Sequence, residues 1–227
     1  MKIKLTVLGL VATATLASAQ IDNTNISTTG GTIADYNPAG LTETFTAVGV
    51  VGTITNIQVS LDISGGFNGD LYAYLAGPQG QLAVLLNRPG VTGSNPYGSG
   101  DAGFNITLSE LGTVNIHDYT ANPSSYTLNG SGQVTGTSLF LPDGRNIDPL
   151  TSGGTLFGTS TANNLSLFNG LTADGTWTLF IADMAPGGGT ATLNGAVLTI
   201  MTVPEPQTWG MLAGGLAMLA LFRRRLN

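Results

Sequence analysis

Apolar and polar residues alternate most regularly between Ile57 and Leu86. Ile57, Val59, Leu61 and Ile63 are separated by Gln58, Ser60 and Asp62, a period of two that puts four apolar side chains on one face of a strand. Ser64-Gly65-Gly66 interrupts the pattern where the chain must turn. A second run follows, with Leu71, Ala73 and Leu75 on one face and Tyr72 and Tyr74 on the other. Gly77-Pro78-Gln79-Gly80 reads as a turn, and Leu82 to Leu86 as a third, nearly continuous apolar strand.

The same period recurs on both sides of this core. Strands begin near Glu43 with TFTAVGVV and continue into ITNIQVSLDI. Gly103 to Leu108 alternates again after a long loop that starts at Asn87-Arg88-Pro89-Gly90. Gly175 to Ile181 is strongly β-prone, with Trp177, Leu179 and Ile181 on one face. TATLNGAVLTI closes the series with Ala196, Leu198 and Ile200 on one face. Leu165-Ser166-Leu167-Phe168 leads into the turn dipeptide Asn169-Gly170. Residues 20–40 are polar and read as a mobile lead-in or an edge strand. Residues 112–160 hold only short apolar pairs among turn residues. Eight or nine short strands without a helical period predict an all-β sandwich or jelly roll.

Composition sharpens this picture. Of 227 residues 33 are glycine and only 9% are charged, while 42% are hydrophobic, enough to bury a core. Cysteine is absent, which removes disulfides, thiolate nucleophiles and thiolate metal sites. The net charge of −6 is unevenly placed. Lys2 and Lys4 lie at one end and Arg223, Arg224 and Arg225 at the other. From Asp22 to Asp183 two arginines, Arg88 and Arg145, face twelve carboxylates, a net of −10. A body of this sign does not hold nucleic acid, whose phosphates need Lys or Arg. It suits either a solvated acidic surface or divalent cations.

Both ends read as targeting segments. Residues 1–19 have a charged start, an apolar stretch from Leu5 to Leu16 and an Ala17-Ser18-Ala19 cleavage site, so a signal helix is expected to be cut between Ala19 and Gln20. At the other end Val203-Pro204-Glu205-Pro206 breaks the chain before a 14-residue apolar run from Trp209 to Phe222. As a helix that run spans about 21 Å, shorter than a hydrocarbon core of roughly 30 Å. Arginines beyond it suit insertion into a membrane with the positive end inside.

These three parts, Pro204-Glu205-Pro206, the short hydrophobic helix and Arg223-Arg224-Arg225, resemble a PEP-CTERM sorting signal over residues 203–227. The resemblance implies a Gram-negative bacterium, export, processing by an exosortase-type enzyme, at least transient membrane anchoring, and a place at the cell surface or in an exopolysaccharide matrix. Residues 41–202 resemble a P domain (P/Homo B) of proprotein convertases, with an insertion around 112–160. The matching positions are Ile57-x-Val59-x-Leu61, Gly69-Asp70-Leu71, Leu75 to Gly80, Leu85-Leu86, Asp101 to Phe104, Gly175 to Leu179, Ile181-Ala182-Asp183 and Leu198-Thr199-Ile200. That family implies a jelly-roll β-sandwich beside a subtilisin-like catalytic domain. The sequence departs from it at Ala196, where Trp is frequent, and contains no catalytic domain.

No catalytic residue is assigned. His117 is the single histidine, and no G-x-S-x-G elbow accompanies it, so it is expected to be a solvated loop residue. Gly98-x-Gly100-x-x-Gly103 precedes a strand instead of a helix and reads as a flexible loop. Tyr72, Tyr74 and Tyr97 either stack on a saccharide or, for the strand pair, cover the second face of the sheet. Asp70, Asp101 and Asp183 sit where strands meet glycine-rich turns. They are candidate calcium ligands, supported by the P-domain resemblance, or caps of their own turns. The expected function is that of an exported, non-catalytic protein of the cell surface or matrix. A carbohydrate-binding or adhesive module and an accessory of a separate subtilisin-like protease are the alternatives.

Overall fold

The computed structural model describes residues 22–150 and 164–203, with Gly215 and Leu219. The signal segment, the sorting motif and the arginine cluster lie outside these residues. The described chain is all-β, as its alternation predicts. Its strands are β1 (Asp22–Thr28), β2 (Gly31–Ile33), β3 (Asn37–Ala47), β4 (Thr53–Gly65), β5 (Leu71–Ala76), β6 (Leu82–Asn87), β7 (Gly103–Ser109), β8 (Val114–Asn115), β9 (Tyr126–Leu128), β10 (Val134–Gly136), β11 (Phe140–Leu141), β12 (Gly175–Asp183) and β13 (Ala191–Val203). One sheet runs in the order β1-β13-β4-β7-β10-β9, with β2, β8 and β11 attached, and the other runs β3-β12-β5-β6.

The two sheets bury their apolar faces against each other. Ile57, Val59, Leu61 and Ile63 of β4 are at most 1% exposed, as are Leu71, Ala73 and Leu75 of β5 and Trp177, Leu179 and Ile181 of β12. β13 changes parity partway. Ala191 and Leu193 point inward, and so do Ala196, Leu198 and Ile200. A register shift against β4 between Leu193 and Gly195 absorbs the extra residue and keeps both sets on the core face.

The polar segment after residue 20 resolves as an edge strand. β1 pairs antiparallel with β13, from Asp22↔Thr202 to Thr28↔Ala196. Residues 112–150 form short strands and short 3-10 helices. β10 and β11 both pair parallel to β7, a geometry that local turns cannot make. Leu165–Phe168 is a 3-10 helix whose Asn164 side chain accepts from the Ser166 amide, and its Leu165 and Phe168 enter the core.

The connections collect at two ends of the sandwich. At one end lie the turn at 34–36, the link 66–70 between β4 and β5, the long loop 88–102 and the link 184–190 between β12 and β13. At the other lie the 48–52 link, where Gly49 and Val50 donate to the Asp174 carboxylate, and the last residues of β13.

Trp177 is the largest side chain of the core. Its indole N–H donates to the Ala173 carbonyl at 2.9 Å, and its ring meets Phe168 edge-on at 4.9 Å. Trp177→Ala is expected to cost about 3–5 kcal/mol, as aromatic truncations in cores do. For a domain of this size the melting temperature followed by circular dichroism should fall by about 10 °C. A change of a degree or less would contradict the packing described.

Candidate functional site

Of the three aspartates singled out by their turn positions, two meet. Asp70 ends the one-turn helix Asn68–Asp70, and Asp183 is the last residue of β12, paired in register with Leu71. Asp70 is 4% exposed and Asp183 is fully buried. The Met184 amide donates to the Asp70 carbonyl at 2.8 Å, which ties the two turns together. Asp183 Oδ1 accepts from the amides of Tyr36 (3.3 Å) and Ala185 (3.2 Å). Its Oδ2 is buried with no hydrogen-bond partner among the described residues.

Arg88 is the cation of this cluster. Its guanidinium lies 3.7 Å from Asp70 Oδ1, and its Nε donates to the Gly69 carbonyl at 3.0 Å. Arg88 and Tyr36 adopt φ of 50° and 48°, a left-handed conformation that costs a non-glycine residue of order 1 kcal/mol. Gly69 is fixed by a different constraint. A Cβ there would stand 2.3 Å from the Tyr97 carbonyl, so the loop 97–99 can close on this turn only over a glycine.

Burial raises the pKa of Asp70 to about 6, with Asp183 and Asp35 adding to the rise and Arg88 opposing it. Burial also raises that of Asp183, against the amides of Ala185 and Tyr36 that favour its charge. The arrangement is one guanidinium shared among carboxyls that repel one another in a dry setting.

Asp101 belongs to a neighbouring network. Its Oδ2 accepts from the Tyr119 hydroxyl at 2.7 Å and from Ser99 Oγ at 3.1 Å. Tyr119 is buried, which pushes its phenol far up, and it also receives a hydrogen bond from Asn68. The three aspartates therefore do not converge as one ligand set. Among the described residues no group of three or more His, Asp or Glu gathers in a way that could hold a metal ion.

His117 is not a solvated loop residue. It is 1% exposed, with Nδ1 2.8 Å from Asp143 Oδ2 and Nε2 2.8 Å from the Val91 carbonyl. Both partners are acceptors, so neither ring nitrogen is turned toward a hydroxyl as a base would need. Asp143, fully buried, also accepts from the Asn87 amide and from Arg145 Nη1 at 3.0 Å. Asn115 caps the helix that carries His117 by accepting its amide, a local signal present in the sequence. Asp143 lies 26 residues away, and nothing in the spacing announces it.

The tyrosines divide. Tyr97 is 81% exposed on the long loop. Tyr72 and Tyr74 lie on the outer face of the smaller sheet, where Tyr74 stacks on Phe180 at 4.9 Å and Tyr72 meets both edge-on. The three rings pack on one another over the outer face of the sheet, each half-buried.

No protein-family model matches this chain, and no curated protein matches it. Among solved structures it is similar to a serine protease of Aeromonas sobria, at 15% identity and a TM-score of 0.45 over 82% of this chain and 28% of that one. It is also similar to that protease in complex with its chaperone, at 14% identity and a TM-score of 0.45 over 81% and 27%. The chain spans less than a third of the length of the proteins it matches.

The carboxyl pair makes stability depend on pH with a definite sign. Asp70 binds its proton more tightly folded than at its ordinary value of 3.8, so its contribution is present below about pH 4 and lost as pH rises through about 6. The melting temperature is expected to fall by several degrees between pH 5 and pH 7.5. Asp183→Asn removes the repelling charge and should shrink that fall. Equal slopes in the two proteins would contradict the coupling.

Proposed function

We propose that this is an exported, non-catalytic β-sandwich protein of the P-domain type. Its C-terminal PEP-CTERM-like segment sorts it to the cell surface or the exopolysaccharide matrix. One observation carries the proposal. β1 and β13 are neighbours, with Asp22 opposite Thr202, so the chain enters and leaves the sandwich side by side. That end is remote from the loops that hold Asp70, Arg88 and Asp183. An anchor continuing from Val203 would hold the sandwich by one end and leave its loops and outer faces displayed.

The non-catalytic reading has its own support. His117, the one histidine, has both ring nitrogens held by internal acceptors. The carboxylate Asp143 is likewise engaged by the Asn87 amide of β6 and the Arg145 amide of its own loop.

Mass spectrometry of the surface fraction from the native host tests the sorting step. The expected mature chain begins at Gln20 and lacks the residues beyond Phe222. Replacement of Pro204-Glu205-Pro206 by alanines should leave the C-terminus intact and move the protein out of the surface fraction. A surface-located chain that still ends at Asn227 overturns the proposal.

A further inference from the structure

The outer face of the larger sheet carries a feature that neither the carboxyl cluster nor the sorting segment uses. Two open depressions, of about 330 and 240 Å³, meet at Asn105. They cross the strands instead of following them. Strand pairing sets Gly195, Asp62, Asn105 and Thr135 in one row, and Val197, Ser60 and Thr107 in the next. The trough thus passes over β1, β13, β4, β7 and β10. At the usual spacing of neighbouring strands its length is about 19 Å, enough for several sugar rings end to end.

The register shift at Leu193/Gly195 deepens the trough, because Gly195 brings no side chain to its floor.

The lining is rich in hydroxyls and amides, with Asp62 as its one charged side chain. Ser60 and Thr107 share a hydrogen bond of 2.8 Å. The carboxylate of Asp62 accepts from Gln133 at 2.8 Å and from Asn194 at 3.1 Å, so two amide donors already face its Oδ1. Asn105 is exposed at the junction, and its amide makes no side-chain hydrogen bond among the described residues. No Lys, Arg or aromatic side chain lines either depression. An anionic polymer would need cations here, and a protein partner would need an aromatic or apolar anchor. A polyol offers donors and acceptors along its whole length without charge, the complement of amides and hydroxyls in rows.

We propose that this trough binds an extended neutral polysaccharide chain, with Asn105 at its centre. The proposal rests on the reading of an exported matrix protein and supplies its ligand. Binding is measured in vitro and sorting in the host, so each can fail without the other.

The test is affinity electrophoresis of the purified full chain in gels containing dextran, hydroxyethylcellulose or galactomannan, with alginate as the anionic polymer. At least one neutral polymer is expected to retard the protein, and alginate is not. Asn105→Ala and Thr135→Ala, combined, should weaken binding by about tenfold or more, as the loss of two hydrogen bonds implies. Asn194→Ala supplies a second variant, and thermal melts verify that each is folded. Tyr72→Ala with Tyr74→Ala should leave binding unchanged. Retardation by no neutral polymer, retardation by alginate alone, or binding lost only with the tyrosines each overturns the proposal.

Discussion

The ladder between β4 and β13 is the constraint on which the rest depends. Two 13-residue strands pair from Thr53↔Val203 to Ala191↔Gly65. Their inner faces supply the middle of the larger sheet's core, and the strands nearest them are placed by one or the other, with β10 and β11 attached through β7. β1 and β2 lean on β13, and β7 on β4. A slip of one residue in this pair would turn Ile57, Val59, Leu61 and Ile63 to solvent and bring Ser60 and Asp62 into the core. The register shift near Gly195 is the one place in β13's inner half where the ladder yields, and the outer trough opens there.

Charge is arranged under a second constraint, the scarcity of cations. Arg88 and Arg145 both turn inward, with side chains 10% and 11% exposed, onto buried carboxylates. Removing either partner would leave a charge in a low dielectric, which is costlier than never having placed the pair. Asp143 has three kinds of donor around it, whereas Asp183 has amides on one oxygen and no hydrogen-bond partner on the other among the described residues. The consequence at the surface is that the described sandwich shows acids and neutral polar groups with almost no positive charge. That surface repels polyanions.

The excursion between β7 and β12 obeys the same logic by other means. Its strands are too short to hold themselves, so they borrow β7 as a parallel partner. Buried polar groups do the remaining work of attachment. Asn87 donates to the carbonyls of Arg145 and Ile147, and the amides of Asp143 and Gly144 donate to β6. His117 and Asp143 close this clip from inside, which is why a histidine in a turn-rich stretch is not in solvent.

Local pattern by itself determined the class of fold and the inner faces. Period-two alternation in β4, β5, β7 and β12 says which side chains are buried, because a strand's faces are set by backbone geometry alone. It also marked Asp70 and Asp183 as residues of the turns beside those strands. The expectations for the two end segments rest on order and composition and fall outside the described residues. What only the tertiary structure decided are meetings between residues far apart in the chain. Asp70 finds Asp183 and Arg88, Asp101 goes to Tyr119 instead, and His117 finds Asp143. The trough is of the same kind, since Asn105, Asp62, Gly195 and Thr135 share a row only through strand pairing and one bulge. Neither pairing order nor register is encoded within a single strand, because both are settled by which faces must be buried together.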